Sequence, residues 1–122
     1  MKFVHVTITV KNMEESMLFY RDILGLPVKR QFSPMPGTEI VFLGNDGETE
    51  IELIRNQART DIAVGRDISL GFSVESVEKT MESLRQRGIE TSELFGPAPG
   101  VSFFYVSDPN GVNIQFINTP AV

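Results

Sequence analysis

The first ten residues alternate in polarity, which is the pattern of a β-strand with two unlike faces. The aliphatic face consists of Val4, Val6, Ile8 and Val10. The opposite face carries the single histidine of the chain, His5, together with the hydroxyls of Thr7 and Thr9. An aliphatic face of this kind is suited to packing beneath a helix. We therefore predict a strand with one helix-covered face and one semi-polar face.

A helix and three more strands are predicted after this strand. Asn12 is a good N-cap with Glu15 as its capping-box partner, and apolar residues then recur at helical spacing until Gly25. Strand-like segments follow at residues 28–32, 39–43 and 50–54. The first half of the chain therefore has the predicted order βαβββ.

The same order begins again at Asp67. The segment "ISLGFSV" predicts a strand, Ser76 is a plausible cap for a second helix, and Gly88 ends that helix. Short strands are predicted at residues 89–94, 101–106 and 112–117, the last two joined by the turn "SDPNG". The second half therefore also has the predicted order βαβββ.

The two halves align in two places, in the same sequence order. "ITVKNMEESMLFYR" lies over "FSVESVEKTMESLR", and "EIELI" lies over "NIQFI", which places Glu52 on Gln115. Such agreement indicates an internal duplication. We predict an α+β fold of two βαβββ modules, whose curled mixed sheets surround a cleft. The predicted single domain covers residues 1–122, with one module at about 1–57, a linker at about 58–66 and the other module at about 67–122.

Charge and composition narrow the class of protein. The net charge is −5 and no stripe of Lys and Arg is present, so we expect no nucleic-acid partner. No apolar run approaches the roughly 20 residues that cross a membrane. The chain has no cysteine, which excludes disulfides, thiolate catalysis and thiolate metal ligands. We expect a cytoplasmic protein without a signal peptide, acting on a small molecule.

Four segments together resemble the vicinal-oxygen-chelate superfamily, in particular glyoxalase I-like proteins. They are "HVTITVKNMEESMLFYRDILGLPV", "EIELI", "ISLGFSVES" and "SDPNGVNIQFI". That superfamily includes glyoxalase I, extradiol dioxygenases, fosfomycin-resistance enzymes and bleomycin-binding proteins. The resemblance implies a homodimer. If its sites are built from both chains, His5 and Glu52 of one chain face Ser69 and Gln115 of its partner.

The resemblance to glyoxalase I also implies four metal ligands, one from each of four strands. They fall on His5, Glu52, Ser69 and Gln115. The first two match the usual ligand types, whereas Ser69 stands where histidine is usual and Gln115 where glutamate is expected. The number of strong metal ligands is therefore four in glyoxalase I and two, His5 and Glu52, in this chain. Zinc sites generally have at least three protein ligands. The amide of Gln115 has no basic site at neutral pH.

Two functional hypotheses follow. The first is a glyoxalase-type lyase or isomerase that binds a divalent metal (Zn, Ni, Mn or Fe) through His5, Glu52 and Gln115. In this hypothesis Glu52 and Gln115 are catalytic, and Thr7 and Ser69 line the substrate pocket.

The second hypothesis is a metal-free binding protein of the drug-resistance type. In it the same polar groups hydrogen-bond the ligand, and aromatic residues such as Phe42, Phe103 or Tyr105 stack against it. An extradiol dioxygenase is disfavoured, because its iron requires two histidines and the chain contains one.

Overall fold

The structure of the protein is a computed structural model, in which residues 1–118 are described. The chain divides into two compact units, Met1–Val64 and Gly65–Val122, and each contains one four-stranded sheet. Within residues 1–118, none of the helices has the length and apolar character needed to cross a membrane.

The first unit has the predicted order of elements. They are β1 (His5–Thr9), α1 (Met13–Met17), a π-helix (Leu18–Ile23), β2 (Val28–Met35), β3 (Thr38–Leu43) and β4 (Glu50–Asn56). The strand order in the sheet is β1-β4-β3-β2, with β1 and β4 parallel and the other pairs antiparallel.

The helix of the first unit begins as the sequence indicates. The Asn12 side chain accepts a hydrogen bond from the backbone N–H of Glu15 at 3.0 Å. The core of the unit lies between the helical segment and one face of the sheet. Its fully buried members include Val10, Tyr20, Val41, Leu43 and Leu53. Val4, predicted to belong to the aliphatic face, is instead 54% exposed, because it precedes the first paired residue of β1.

The second unit repeats this arrangement. Its elements are β5 (Ser69–Ser73), α2 (Val77–Gln86), β6 (Phe95–Ala98), β7 (Val101–Ser107) and β8 (Asn113–Ile117). The strand order is β5-β8-β7-β6, again with only the first pair parallel. Ser76 caps α2 through a hydrogen bond from the Lys79 N–H, and Val77, Met81 and Leu84 form the buried stripe.

The two sheets share one register, which confirms the α+β fold and its duplicated βαβββ order. Thr7 pairs with Glu52 in the first unit, and Gly71 pairs with Gln115 in the second. The predicted alignment of the two halves places the same residues on one another.

The predicted strand at residues 89–94 is wrong. These residues form no strand, and the edge strand β6 begins at Phe95. The Ser92 hydroxyl oxygen accepts a hydrogen bond from the backbone N–H of Tyr105 at 2.8 Å. The backbone N–H of Ser92 donates a hydrogen bond to the Tyr105 carbonyl oxygen. A side-chain oxygen thus takes the place of a ladder carbonyl, which is how serine competes with regular sheet pairing.

Candidate functional site

Each sheet has one face packed on its own helix and one face that points away from it. In the first unit we call the face that points away from the helix the first helix-free face; it surrounds His5, Thr7 and Glu52. In the second unit we call it the second helix-free face; it surrounds Ser69, Gly71 and Gln115. All five predicted site residues, His5, Thr7, Glu52, Ser69 and Gln115, lie on these faces, because cross-strand pairing keeps paired residues on one side.

The first helix-free face brings His5, Thr7 and Glu52 together. The Thr7 hydroxyl donates to Oε1 of Glu52 at 2.5 Å, and Nε2 of His5 lies 3.6 Å from the same oxygen. The Glu52 side chain is 12% exposed and that of His5 is 39% exposed. The imidazole also meets the ring of Phe42 edge-on, with centroids 5.5 Å apart. The partly exposed imidazole of His5 and the largely buried carboxylate of Glu52 thus form one polar cluster with Thr7.

Arg30 is a member of this face that the sequence analysis missed. Its guanidinium lies 4.2 Å from the ring centroid of Phe42, and its Nη2 lies 3.1 Å from Oε1 of Glu50. Simple alternation along β2 could not place Arg30, because the register with β3 shifts between Val28 and Arg30. A guanidinium over an aromatic ring is a favourable cation–π contact.

Phe42 is 7% exposed, since Arg30, His5 and Phe32 lie against it. The Phe32 ring is stacked at a centroid distance of 6.4 Å. Phe42 therefore supports the polar groups of the first face and offers little ring surface to a ligand, contrary to the expectation that it stacks on one.

The second helix-free face holds Gln115 and Ser69. The half-buried Gln115 donates its side-chain N–H to the Tyr105 hydroxyl over a long 3.4 Å. Ser69 is exposed at the start of β5, where it lines a cavity of about 380 Å³ together with Tyr105 and Asn113. This face therefore supplies hydroxyl and amide groups and no charged side chain from its strands.

Three aromatic rings extend the second face towards the sheet edge. Phe95 and Phe103 are stacked at 5.5 Å, and Tyr105 lies edge-on to Phe103 at 5.8 Å and to Phe95 at 6.3 Å. Phe103 and Tyr105 are half-buried and Phe95 is 37% exposed. Unlike Phe42, these rings keep surface that a ligand can contact.

The residues at the four implied ligand positions do not fit a divalent-metal centre. The first unit contributes one imidazole and one carboxylate, and the second contributes a hydroxyl and a carboxamide. Among residues 1–118, no group of three or more His, Asp and Glu side chains could hold a metal ion. Zinc sites generally have at least three protein ligands, and a serine hydroxyl is not among the usual ones.

A cavity of about 790 Å³ in the first unit lies elsewhere, between the helical segment and the ends of β2, β3 and β4. Its lining includes Lys11, Arg21, Gln31, Glu39 and Arg55 and none of the predicted site residues. Two of the lining residues form an ion pair, in which the Arg21 guanidinium donates a hydrogen bond to the Asp22 carboxylate. This carboxylate raises the pKa of Arg21. The lining contains both cationic and anionic side chains.

Comparison with known proteins agrees with this architecture. The chain is 32% identical over 124 residues to the lactoylglutathione lyase of Haemophilus influenzae, covering 96% of this chain and 92% of that protein. The structure of the trypanothione-dependent glyoxalase I of Leishmania major superposes with a TM-score of 0.81 at 25% identity, covering 97% of this chain and 86% of that one. A glyoxalase family protein from Enterococcus faecalis superposes with a TM-score of 0.77 at 26% identity, covering 96% and 97% of the two chains.

The profile of one superfamily matches residues 2–116, which is nearly the whole chain. The matched span includes every predicted site residue and every helix and strand of both units except the last residue of β8, Ile117. The chain belongs to the glyoxalase/bleomycin resistance protein/dioxygenase superfamily.

Proposed function

We propose that this protein binds a small organic molecule without a resident metal ion, using the helix-free faces of its sheets. The observation that carries the proposal is the donor set at the four implied ligand positions, which contains one imidazole and one carboxylate. A hydroxyl and a carboxamide serve a ligand as hydrogen-bonding groups far better than they serve a divalent cation.

Charge supports the same conclusion. A divalent ion held by Glu52 as its single carboxylate would keep a charge of about +1, and burying such a charge is costly without further anionic ligands. Oε1 of Glu52 already accepts the Thr7 hydroxyl, which occupies part of its coordinating capacity. In our proposal His5, Thr7 and Glu52 act as a hydrogen-bonding group for polar parts of the ligand.

Aromatic surface is the second component of the proposed site. Phe103 and Tyr105 are half-buried, and Tyr105 lies beside Gln115 and Ser69. Rings fixed in a sheet lose little conformational freedom on binding and contribute large apolar contacts. We propose that these rings stack on the ligand, while Gln115 and Ser69 orient it.

The test combines metal analysis with ligand screening on one preparation. Protein purified without chelator is analysed for bound elements and then titrated with Ni²⁺ and Zn²⁺ by calorimetry. We expect well under one metal per chain and no saturable uptake. In parallel, we expect some small aromatic compounds to raise the melting temperature with metal absent. Stoichiometric metal, or ligand binding that requires metal, would overturn the proposal.

A glyoxalase-type lyase or isomerase is the second candidate, favoured by the 32% identity to a lactoylglutathione lyase and by the His5–Glu52 pair. We expect the hemithioacetal of methylglyoxal and glutathione not to be isomerised at ordinary enzyme rates, even with Ni²⁺ or Zn²⁺ added. Metal-dependent turnover that is lost in His5→Ala and kept in Thr9→Ala, on the same strand face, would make this candidate the correct one.

Members of the superfamily often form dimers. We propose that this chain is a cytoplasmic homodimer, in which His5 and Glu52 of one chain face Ser69 and Gln115 of its partner. Such pairing would place the hydrogen-bonding group and the aromatic surface on opposite sides of one ligand.

A further inference from the structure

We infer that the second helix-free face selects a flat aromatic molecule carrying an O–H or N–H donor, with the side-chain oxygen of Gln115 as the acceptor. The inference rests on the proposed function and adds the chemical class of the ligand. It depends on three features of the second unit: the partly exposed rings, the orientation of the Gln115 amide, and the missing side chain at Gly71.

The rings define the shape of the ligand. Phe95, Phe103 and Tyr105 lie within 6.3 Å of one another by centroid distance, and their planes differ, with Tyr105 turned by 81° relative to Phe103. A planar ring can stack on one of them while its edge meets another, the two arrangements that aromatic pairs prefer. A flexible aliphatic molecule would gain apolar contact here without this geometric match.

The polarity of the ligand follows from the Gln115 amide. Its Nε2 donates to the Tyr105 hydroxyl at 3.4 Å, so the amide nitrogen faces the aromatic cluster and Oε1 faces the other way. Oε1 lies towards Gly71, the residue paired with Gln115 across β5 and β8. Gln115 thus presents its side-chain carbonyl oxygen on the Gly71 side, and a hydrogen bond to this oxygen requires a donor from the ligand.

Gly71 leaves the space in which that donor can approach. A β-carbon at this position would lie 3.2 Å from Oε1 of Gln115, tighter than an ordinary contact. The corresponding residue of the first unit is Thr7, whose hydroxyl fills the equivalent place beside Glu52. In the second unit a ligand hydroxyl can take the position that the Thr7 hydroxyl occupies in the first.

The test uses 2-naphthol and its methyl ether, 2-methoxynaphthalene, as probes of nearly equal shape. Each is titrated into ¹⁵N-labelled full-length protein, and amide shifts are followed by NMR. We expect 2-naphthol to bind about tenfold more tightly, the value of one added hydrogen bond. The largest shifts should fall on the Gly71 backbone amide and the Gln115 side-chain amide.

Two variants test the assigned roles. Gln115→Leu should abolish the preference for 2-naphthol while leaving the affinity for 2-methoxynaphthalene within about twofold. Gly71→Val should weaken both probes about tenfold or more by filling the space. Gly96→Val is the matched control, since a β-carbon there would meet the Val101 carbonyl oxygen at an ordinary 3.6 Å. It should bind both probes like the parent, and the dispersion of the amide spectrum checks folding throughout.

A preference that survives in Gln115→Leu, shifts confined to the first helix-free face, or no binding of either probe would overturn the inference. None of these results touches the proposed function, which is tested separately by the metal analysis, the ligand screen and the turnover assay described above. Conversely, stoichiometric metal in the purified protein would end the proposed function whatever the naphthol result.

Discussion

Asp108 shows how one buried polar side chain can be purely architectural. It is 5% exposed in the turn between β7 and β8. Oδ1 accepts the backbone N–H groups of Asn110 and Val112 at 2.8 and 2.7 Å, and Oδ2 accepts the Asn110 side chain at 3.1 Å. The sequence "SDPNG" predicts a turn here, and the structure confirms it. Since β8 carries Gln115, this turn also fixes the start of the strand on which the second face depends.

Replacing Asp108 by alanine should lower the free energy of unfolding by about 3 kcal/mol, because buried N–H donors would lose their acceptor. Asp108→Asn should cost clearly less, since one side-chain oxygen remains. Urea unfolding followed by circular dichroism measures both, and Pro109→Ala, at the exposed next position, serves as the control. Equal stability of the alanine variant and the parent would show that water replaces the carboxylate at no cost.

At the scale of single residues, strand alternation predicted much of the candidate site. His5 and Thr7 lie on the helix-free face because they alternate with the aliphatic positions of β1. Strand alternation did not predict that Arg30 lies on this face, because the register of the β2–β3 pair shifts between Val28 and Arg30. The burial of Phe42 also could not be foreseen, because it results from three contacts made across different strands.

At the scale of elements, the two helices begin alike and continue differently. Asn12 and Ser76 each accept the backbone N–H three residues on, as the cap pattern predicted. After Met17 the first helix widens into a π-helix, where the Leu24 N–H donates to the Phe19 carbonyl five residues back. The apolar spacing predicts a helix through this segment but contains no signal for the wider turn. Phe19 and Tyr20, both buried, lie within the π-helical segment.

The caps make a matched pair for experiment. Asn12→Ala and Ser76→Ala should each lower the free energy of unfolding by about 1 kcal/mol, the usual value of an N-cap hydrogen bond. Their effects should add in the double variant, because the two caps belong to separate units and share no partner. Urea denaturation of the four proteins measures this cycle. A double variant that loses far more than the sum would mean that the two helix starts are energetically coupled.

For the whole molecule, duplication explains both what the sequence reveals and what it conceals. The shared register puts Glu52 and Gln115 at equivalent positions, so the pairing of site residues within each unit follows from the alignment. The prediction of a strand at residues 89–94 was wrong because the Ser92 hydroxyl replaces a backbone carbonyl in the pairing with Tyr105, an effect that apolar patterning does not record. The ligand class that we infer depends on how aromatic rings and amide atoms combine on the second helix-free face, and no repeat or motif encodes that combination.

The residues at the four implied ligand positions lead to a prediction for the whole molecule. If Ser69 and Gln115 stand where a metal-binding relative of this fold would have His and Glu, then Ser69→His with Gln115→Glu supplies two imidazoles and two carboxylates. This set balances the charge of a divalent ion and exceeds the three ligands that zinc sites generally require. We expect the double variant to bind Ni²⁺ or Zn²⁺ stoichiometrically in calorimetry, with each single variant binding more weakly and the parent not at all.

Adding His5→Ala to the double variant leaves three strong ligands and should weaken this binding to about the level of the single variants, whereas Thr9→Ala on the same strand face should leave it intact. Cobalt absorption spectra provide a second readout, because the band intensity reports the coordination number independently of affinity. A double variant that folds and still takes up no metal would mean that the four positions do not converge on one point. The implied placement of His5 and Glu52 opposite Ser69 and Gln115 would then be wrong, while the donor-dependent binding at Gln115, which uses the second unit alone, would be unaffected.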